Sequence, residues 1–261
     1  LGLPVPPGFT ISTKACELFY RDKKKINSKI ILAIKKEIKN IEKESGKKFG
    51  DLNNPLLLSV RSGARVSMPG MMDTILNLGL NDKTVLALAK KTKNMRFARD
   101  SYRRFIQMYS TVVMGIENYN FEDLIENYKL TKGVLLDTDL DESDWEGLIN
   151  DFKKVFKEKT QKNFPQDVQE QLIGAIKAVF LSWEGNRAKV YRKLNQIPSD
   201  WGTAVNIQSM VFGNMGDNCA TGVVFTRNPS TGTNEIYGEY LLNAQGEDVV
   251  AGTRTPQHIT K

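Results

Sequence analysis

An apolar run followed at once by a loop of small, hydroxyl and basic residues constrains this chain more than any other feature. Leu56, Leu57 and Leu58 predict a buried strand that ends at Val60. The following segment, 61–74, has the sequence RSGARVSMPGMMDT. Glycine lets a backbone approach a ligand closely, hydroxyl groups donate hydrogen bonds, and an arginine fork can hold two phosphate oxygens. By its chemistry alone, this segment is compatible with a phosphate-binding loop or with an ordinary surface loop.

Helical periodicity dominates the middle of the chain. Isoleucines recur at helical spacing over 26–41 and predict an amphipathic helix, with Lys and Glu on its outer face. A second apolar stripe over 102–116 contains several aromatic residues, and such a stripe is typical of core packing rather than of a cofactor site. A third stripe begins at Val168 and predicts a helix that either ends near Gly185 or continues towards Tyr191.

Strand patterns replace helical patterns near the end of the chain. Apolar and polar residues alternate over 205–209, and two further strands are predicted over 222–226 and 235–242. A turn sequence, Asn-Pro-Ser-Thr-Gly over 228–232, separates the last two. The order is therefore mixed, then helical, then rich in strands. This order predicts an α+β protein in which the helical segment, about 81–166, is an insertion.

Composition allows one large domain or two lobes in a chain of 261 residues. The 37 basic and 30 acidic residues give a net charge of +7, but the lysines alternate with acidic residues in a way typical of solvated helix faces. We therefore do not expect nucleic-acid binding. The two cysteines, Cys16 and Cys219, have no metal-ligand spacing, and we expect them to be reduced thiols.

No targeting or membrane-spanning pattern is present in the sequence. No stretch approaches about 18 consecutive apolar residues, so we expect no membrane association. The first seven residues, LGLPVPP, lack the charged and apolar regions of a secretion signal. The expected compartment is the cytoplasm or the reducing lumen of an organelle. Because the sequence does not begin with Met, we expect it to start inside a longer polypeptide or to have been trimmed.

The loop sequence itself, SVRSGARVSMPGMMDTILNLGLND over 59–82, resembles the nucleotide-binding domain of the pyruvate phosphate dikinases. The resemblance covers most of the chain apart from 21–50 and 131–170. It also distinguishes the chain from phosphoenolpyruvate synthases and rifampicin phosphotransferases, in which these segments differ. The other similar segments are a first strand at 2–13, long helices at 96–116 and 179–197, and the segments 202–232 and 238–259.

The resemblance implies the ATP-grasp fold, in which two α+β lobes hold ATP between them. The first lobe would comprise residues 1–80 and 167–210, and a helical subdomain would occupy 81–166. Residues 211–261 would begin the second lobe. On this basis the ATP-grasp-like domain is expected to be incomplete at both ends.

The resemblance also implies roles for the residues of the loop. Arg61 matches the catalytic arginine that contacts the transferring phosphates, although an arginine at a strand end can also form a simple salt bridge. The methionines at 68, 71 and 72 are expected to pack under the loop as flexible fillers. The loop residues expected to surround the triphosphate are Ser62, Gly63, Ser67, Gly70 and Thr74.

A second group of matching residues follows the predicted strand at 205–209. Gln208, Met210 and Val211 align with the hinge between the lobes, where main-chain groups can contact the adenine edge. Simple strand packing is the alternative for Met210. Glu239 matches an acidic residue near the ribose or a metal, although a lone glutamate in a strand usually faces solvent. Weaker phosphate or metal roles are implied for two further residues, Gln245 and Arg254.

As a whole, the family converts ATP, phosphate and pyruvate to AMP, pyrophosphate and phosphoenolpyruvate through a phosphohistidine. The implied cofactor is Mg²⁺ bound with ATP, and the implied partners are pyruvate, phosphate and a swivelling phosphohistidine domain in a homo-oligomeric parent. Several family elements find no match here: a glycine-rich segment with a lysine, an Asp-x-Glu pair for Mg²⁺, a Gln-x-Arg element and the carrier histidine. We therefore assign no metal ligand and expect the chain alone to be inactive. The only histidine, His258, is expected to be a partly exposed connector and not the carrier.

Two other classes of function stay open from the sequence. The chain could be a free-standing nucleotide-binding or interaction module without catalysis. It could also be a lysine-rich scaffold that binds no ligand. A measured affinity for ATP would separate the scaffold from both nucleotide-binding alternatives.

Overall fold

The computed structural model describes residues 2–250 and 254–259 and divides the chain into two units, Leu1–Met210 and Val211–Lys261. The strands of the first unit are β1 Gly8–Ile11, β2 Lys48–Phe49, β3 Pro55–Leu56, β4 Leu58–Gly63, β5 Thr74–Leu78 and β6 Ala204–Ser209. Its α-helices are α1 Thr13–Arg21, α2 Ser28–Ser45, α3 Thr84–Thr92, α4 Met95–Met114, α5 Tyr119–Lys132, α6 Glu142–Thr160, α7 Val168–Ser182 and α8 Asn186–Leu194. The second unit contains β7 Ala220–Phe225, β8 Tyr237–Leu242, α9 Gly246–Val250 and β9 Gln257–His258. This mixture of helices and strands confirms the predicted α+β class.

One antiparallel sheet organises the first unit, with the strand order β1-β6-β4-β5. The last strand of this unit, β6, lies between β1 and β4, so segments from both ends of the unit are neighbours. Alternation along β6 directs Val205 and Ile207 to the buried face and Asn206 and Gln208 to the opposite face. Helix α7 packs against the central strands. The sheet therefore has an apolar face covered by helix and a polar face.

The helices α3 to α6 lie in the chain between β5 and α7, within the segment predicted to be a helical insertion. Three aromatic residues of α4 surround Phe164, with ring centroids 6.2 Å away for Tyr102, 5.7 Å for Phe105 and 5.6 Å for Tyr109. All three contacts are edge-to-face, the arrangement that aromatic quadrupoles favour. This packing confirms that the aromatic stripe belongs to the core.

Two of the predicted helical stripes extend beyond the helices themselves. The isoleucine helix begins at Ser28 because the Asn27 side chain caps it, so Ile26 lies ahead of the first turn. Helix α4 ends at Met114, because Gly115 caps it in the left-handed conformation at φ 71°. Ile116 therefore lies in the loop that follows the helix, and its side chain is buried there.

The helix predicted from Val168 ends at Ser182, which confirms the alternative that placed its end near Gly185. A separate helix, α8, follows, so the prediction of one long helix over 179–197 was wrong. Gly185 has an extended backbone, with φ −64° and ψ 150°, and this conformation interrupts the helical path. The guanidinium of Arg192 lies 4.1 Å from the centre of the Trp183 ring and donates a hydrogen bond to the Trp183 carbonyl. These contacts fix α8 next to Trp183, close to the point where the helical path is interrupted.

The second unit is built on the antiparallel sheet β7-β8-β9. His258 lies in β9 and pairs with Glu239 of β8, so the expectation of a connector residue there was wrong. Its side chain is exposed, as predicted. In the described part of this unit, the apolar side chains classed as buried are those of Leu241 and Ala244. Across residues 2–250 and 254–259, no helix has both the length and the apolar character needed to cross a membrane.

Candidate functional site

Arg61 lies on the polar face of the four-stranded sheet. It pairs in register with Thr74 of β5 on one side and Asn206 of β6 on the other. Its Nη2 atom donates a hydrogen bond of 2.6 Å to Oε1 of Gln208. Among the described residues, no carboxylate forms an ion pair with Arg61, which removes the salt-bridge alternative. The positive charge is therefore oriented by a neutral partner and is not neutralised.

Gln208 connects Arg61 to the first strand region of the chain. While Oε1 of Gln208 accepts from Arg61, its Nε2 donates to the main-chain oxygen of Pro6 at 3.0 Å. Beside this pair, the hydroxyl of Thr10 donates to Oδ1 of Asn206 at 2.7 Å. The sequence interpretation did not include Thr10 or Asn206. The alternation of β6 could have identified Asn206, because that residue shares a face with Gln208.

The loop between β4 and β5 is anchored by its methionines. Met68 is only 7% exposed and forms a buried cluster with Trp183 and Ala188, while Met71 and Met72 pack at the edge of this cluster. The methionines therefore lie between the loop and the region of α8, as the sequence predicted. This packing fixes the loop without using its hydroxyl or glycine residues.

The small residues of the loop are directed outward. Ser67 and Gly70 are exposed, and Gly70 has a φ of 69°, in the left-handed region that favours glycine. Gly70 lies in a turn over 68–71, which is closed by the N–H of Met71 donating to the carbonyl of Met68 at 3.1 Å. The guanidinium of Arg65 lies 5.2 Å from the centre of an indole ring, that of Trp201. The loop thus offers main-chain and hydroxyl groups next to a second arginine.

The two residues that follow Arg61 differ in their placement. Strand alternation directs Ser62 to the same face as Val60, away from Arg61. Gly63 returns to the polar face, where an added Cβ atom would lie 2.8 Å from Nδ2 of Asn206. The structure therefore places Gly63 beside Arg61 and separates the Ser62 side chain from them.

Asp73 ends the loop and fastens it to α7. Its main-chain N–H donates to the Ser182 hydroxyl at 3.3 Å, and its carboxylate lies 3.7 Å from the guanidinium of Arg187. Burial raises the pKa of the Asp73 carboxyl, and the charge of Arg187 opposes that rise. The loop is thus held at its end by a hydrogen bond and a loose ion pair.

Met210 and Val211 mark the boundary between the two units. The main-chain N–H of Met210 donates to the carbonyl of Leu57 at 2.9 Å, so this N–H is already used. Met210 lies just beyond β6 and is half-buried, so it is not part of the strand core. Val211 is 72% exposed.

Glu239 lies in the second unit, in the middle of β8. Its Oε1 atom is 3.6 Å from Nδ1 of His258, its partner on β9. The carboxylate is partly exposed. Glu239 is therefore not a lone solvent-facing glutamate, because the imidazole of His258 lies beside it.

Arg254 and Gln245 have structural contacts in the second unit. The guanidinium of Arg254 donates to the carbonyls of Leu242 and Asn243 at 2.9 and 3.2 Å. The Gln245 side chain is buried, and its Nε2 donates to Oδ1 of Asn214 at 3.3 Å. Its Oε1 has no hydrogen-bond partner within the described part of the chain. Both residues thus connect loops to the end of β8.

The acidic residues of the described chain do not converge. Within residues 2–250 and 254–259, no group of three or more His, Cys, Asp or Glu side chains is arranged to hold a metal ion. The two cysteines are free thiols, and burial raises the pKa of Cys16. The candidate site of the first unit therefore consists of cations, amides, hydroxyls and main-chain groups, which are suited to an anion.

Comparison with known proteins indicates the same family over almost the whole length of the chain. A family model described as "Pyruvate phosphate dikinase, AMP/ATP-binding domain" matches residues 24–261. The pyruvate, phosphate dikinase of Clostridium symbiosum is 60% identical over 262 residues, which cover 100% of this chain and 30% of that protein. The enzyme of Rhizobium meliloti (strain 1021) is 56% identical, over 100% of this chain and 29% of its own length. The chloroplastic enzyme of Mesembryanthemum crystallinum is 54% identical, over 99% and 27% respectively. The chain thus spans less than a third of the length of these relatives.

Proposed function

Because the chain belongs to the family of pyruvate phosphate dikinase AMP/ATP-binding domains, we propose that it binds ATP through the polar face of its four-stranded sheet. The observation that carries the proposal is the charge of Arg61, which is oriented by Gln208 and is not neutralised by any described carboxylate. An anchored loop with outward-facing Ser67 and Gly70 follows this arginine in the chain. The triphosphate would lie between Arg61 and the loop.

The chemistry of these groups suits phosphoryl transfer. An arginine is permanently charged and presents a planar fork to phosphate oxygens, so Arg61 would offset the negative charge that develops on the transferring group. The hydroxyls of Ser67 and Thr74 and the main chain at Gly63 and Gly70 would donate further hydrogen bonds. Ser62, whose side chain is on the other face, would contribute only its main chain.

Further roles are proposed for the groups near the adenine ring and for the candidate residues of the second unit. The Met210 N–H is already bonded, so its carbonyl and the main chain of Val211 would contact the adenine edge. Glu239 would lie near the ribose or a metal. Gln245 and Arg254 would support the loops at the end of β8 instead of binding phosphate directly.

As to architecture, we propose that the chain is part of an ATP-grasp domain. The first lobe would comprise residues 1–80 and 167–210, with 81–166 as the helical insert and 211–261 as the start of the second lobe. The sheet supports this assignment because β6, which follows the helical segment in the chain, joins β1 and β4.

The parent protein would convert ATP, phosphate and pyruvate to AMP, pyrophosphate and phosphoenolpyruvate. The phosphohistidine would lie on a swivelling domain outside this chain, and the parent would be a homo-oligomer. Mg²⁺ would enter as a complex with ATP. Because the described acidic residues form no cluster of three, we assign no protein ligand to this ion.

Titration calorimetry of the chain with ATP and with adenosine tests the proposal. A hydrogen bond to a charged group contributes about 1.5–3 kcal/mol, so Arg61→Ala should weaken ATP binding by roughly ten- to a hundredfold. Adenosine carries no phosphate and should bind both proteins equally. Arg21→Ala removes an exposed arginine from α1 and is the matched control. No binding of ATP by the unmodified chain, or equal losses for both ligands in Arg61→Ala, would contradict the proposed role.

A further inference from the structure

We infer that Gln208 is a positioning residue for Arg61 and acts on ATP binding through it. This inference rests on the proposed phosphate-binding role of Arg61. It changes the role that the family resemblance implied for Gln208. The side-chain amide lies 147 positions away from Arg61 in the chain but is in hydrogen-bonding contact with its guanidinium.

Both polar atoms of the Gln208 amide are already used. Oε1 accepts from Arg61 at 2.6 Å, and Nε2 donates to the carbonyl of Pro6 at 3.0 Å. A carbonyl can only accept, and a guanidinium can only donate, so one orientation of the amide satisfies both neighbours. Each of these atoms can still form one further hydrogen bond, so the two observed bonds fix the orientation of the amide and tie it to Arg61 and Pro6 without excluding another partner.

The backbone keeps Gln208 in place. Gln208 pairs with Gly8 of β1 and with Ser59 of β4, so it lies on the central strand between two partners. An added Cβ atom at Gly8 would lie 2.6 Å from the main-chain oxygen of Ile207, which shows how closely β1 and β6 approach. Arg61 has a long flexible side chain, and Gln208 provides it with a rigid acceptor.

A neutral amide has an advantage over a carboxylate at this position. A carboxylate would hold the guanidinium equally well but would cancel its charge, and a phosphate would then meet an ion pair instead of a free cation. Gln208 orients the cation and leaves its charge available. This arrangement would prepare Arg61 for the triphosphate before the nucleotide arrives.

A double-mutant cycle on the full chain tests the inference by calorimetry. Gln208→Ala should weaken ATP binding by about five- to tenfold and leave adenosine binding unchanged. In the Arg61→Ala background, Gln208→Ala should cause no further loss, because the residue through which it acts is absent. An equal loss of ATP and adenosine, or a full additional loss in the Arg61→Ala background, would overturn the inference.

The matched control comes from the helical segment. Gln107 also accepts a hydrogen bond from an arginine, Arg103, at 3.3 Å and donates to Oε1 of Glu122 at 2.7 Å. Gln107→Ala therefore removes the same kind of amide from helix α4, outside the polar face of the sheet. It should leave ATP affinity unchanged, and an equal loss in this variant would show that Gln208→Ala acts through general destabilisation.

A second measurement needs no nucleotide and separates failure of this inference from failure of the proposed function. Rotation about the Nε–Cζ bond of Arg61 can be followed by nuclear magnetic resonance of the labelled guanidinium group. Rotation should be slow in the unmodified chain and at least several-fold faster in Gln208→Ala. Equal rotation rates would overturn the inference even if ATP binds. A faster rate together with an unchanged ATP affinity in Arg61→Ala would instead contradict the phosphate role of Arg61.

Discussion

Arginine side chains in this protein take opposite roles according to their surroundings. Arg103 is buried, lies 2.6 Å from a carboxylate oxygen of Asp100 and lies over the Trp145 ring at 4.6 Å. Arg61 is exposed, and its described hydrogen-bond partner is the amide of Gln208. Of these two arginines, Arg61 keeps its charge available, so composition alone cannot distinguish a structural arginine from a binding one.

The buried carboxylate of Asp100 should contribute strongly to stability at neutral pH. Burial alone would raise the pKa of Asp100, but the nearby charges of Arg104 and Arg103 outweigh it and hold the pKa below its usual range. Asp100→Asn would remove the carboxylate that lies 2.6 Å from the buried guanidinium of Arg103 and 3.2 Å from that of Arg104. We expect the free energy of unfolding to fall by about 3 kcal/mol at pH 7, measured by urea denaturation.

The effect of Asp100→Asn should depend on pH in a defined direction. A carboxyl with a lowered pKa in the folded state stabilises the protein above the pKa of the unfolded chain, and this stabilisation is lost as the pH falls through the folded pKa. The difference between the two proteins should therefore shrink below about pH 4. Asp123→Asn, on the exposed side of α5, is the control. A difference independent of pH would mean that shape, and not charge, matters at this position.

At the scale of elements, the loop between β4 and β5 combines an anchored base with an open tip. The anchor is apolar and formed by Met68, whereas the tip contains the exposed Ser67 and Gly70. Burial of Met68 therefore offsets the entropy lost when the loop is ordered. A loop rich in small residues can in this way be held near a fixed position without giving up the groups that could bind a phosphate.

Shortening the anchor should loosen the loop. Met68→Ala removes a buried side chain beside Trp183 and should lower the free energy of unfolding by about 2–5 kcal/mol. Amide hydrogen exchange in the loop should accelerate, and ATP affinity should fall more than adenosine affinity. Met68→Leu keeps nearly the same volume and should behave like the unmodified chain within about 1.5 kcal/mol. Unchanged exchange in the loop of Met68→Ala would show that other contacts hold it.

At the scale of the whole molecule, the two units differ greatly in the cores that they enclose. The first unit buries aromatic residues such as Trp145 and Phe164 together with one face of its sheet. In the described second unit, Leu241 and Ala244 are the buried apolar residues, and β7 is largely exposed along its length. A segment of about 50 residues can bury only a modest share of its surface. Local opening should therefore be easier in the second unit.

Amide hydrogen exchange of the intact chain tests this difference in stability. Amides of β7 and β8 are hydrogen-bonded in pairs but should exchange at least about tenfold faster than those of β4 and β6, because small units open without global unfolding. The amides of the solvated helix α2 provide an internal reference. Equal protection in both sheets would show that the chain unfolds as one cooperative unit.

The sequence by itself predicted the main amphipathic helices, the strands β4, β6, β7 and β8, and the loop that we propose to bind phosphate. Local periodicity was sufficient because an amphipathic helix or an alternating strand is encoded by neighbouring residues. The packing of Met68, Met71 and Met72 was also predicted, because apolar residues in a polar loop need a surface to cover. The sequence left two alternatives for the end of the helix that begins at Val168. The contact between Trp183 and Arg192 depends on how α8 folds back, and no local pattern contains it.

Only the tertiary structure decided how the residues of the candidate site are combined. Arg61 and Gln208 meet because β6 lies between β1 and β4, a pairing that joins residues almost 150 positions apart. The same register turns Ser62 away from Arg61 and brings Asn206 beside it. Strand order and register are set by the burial of one whole face of the sheet, which no local pattern contains. For this reason the sequence could identify Arg61, but only the fold shows which partner orients its charge.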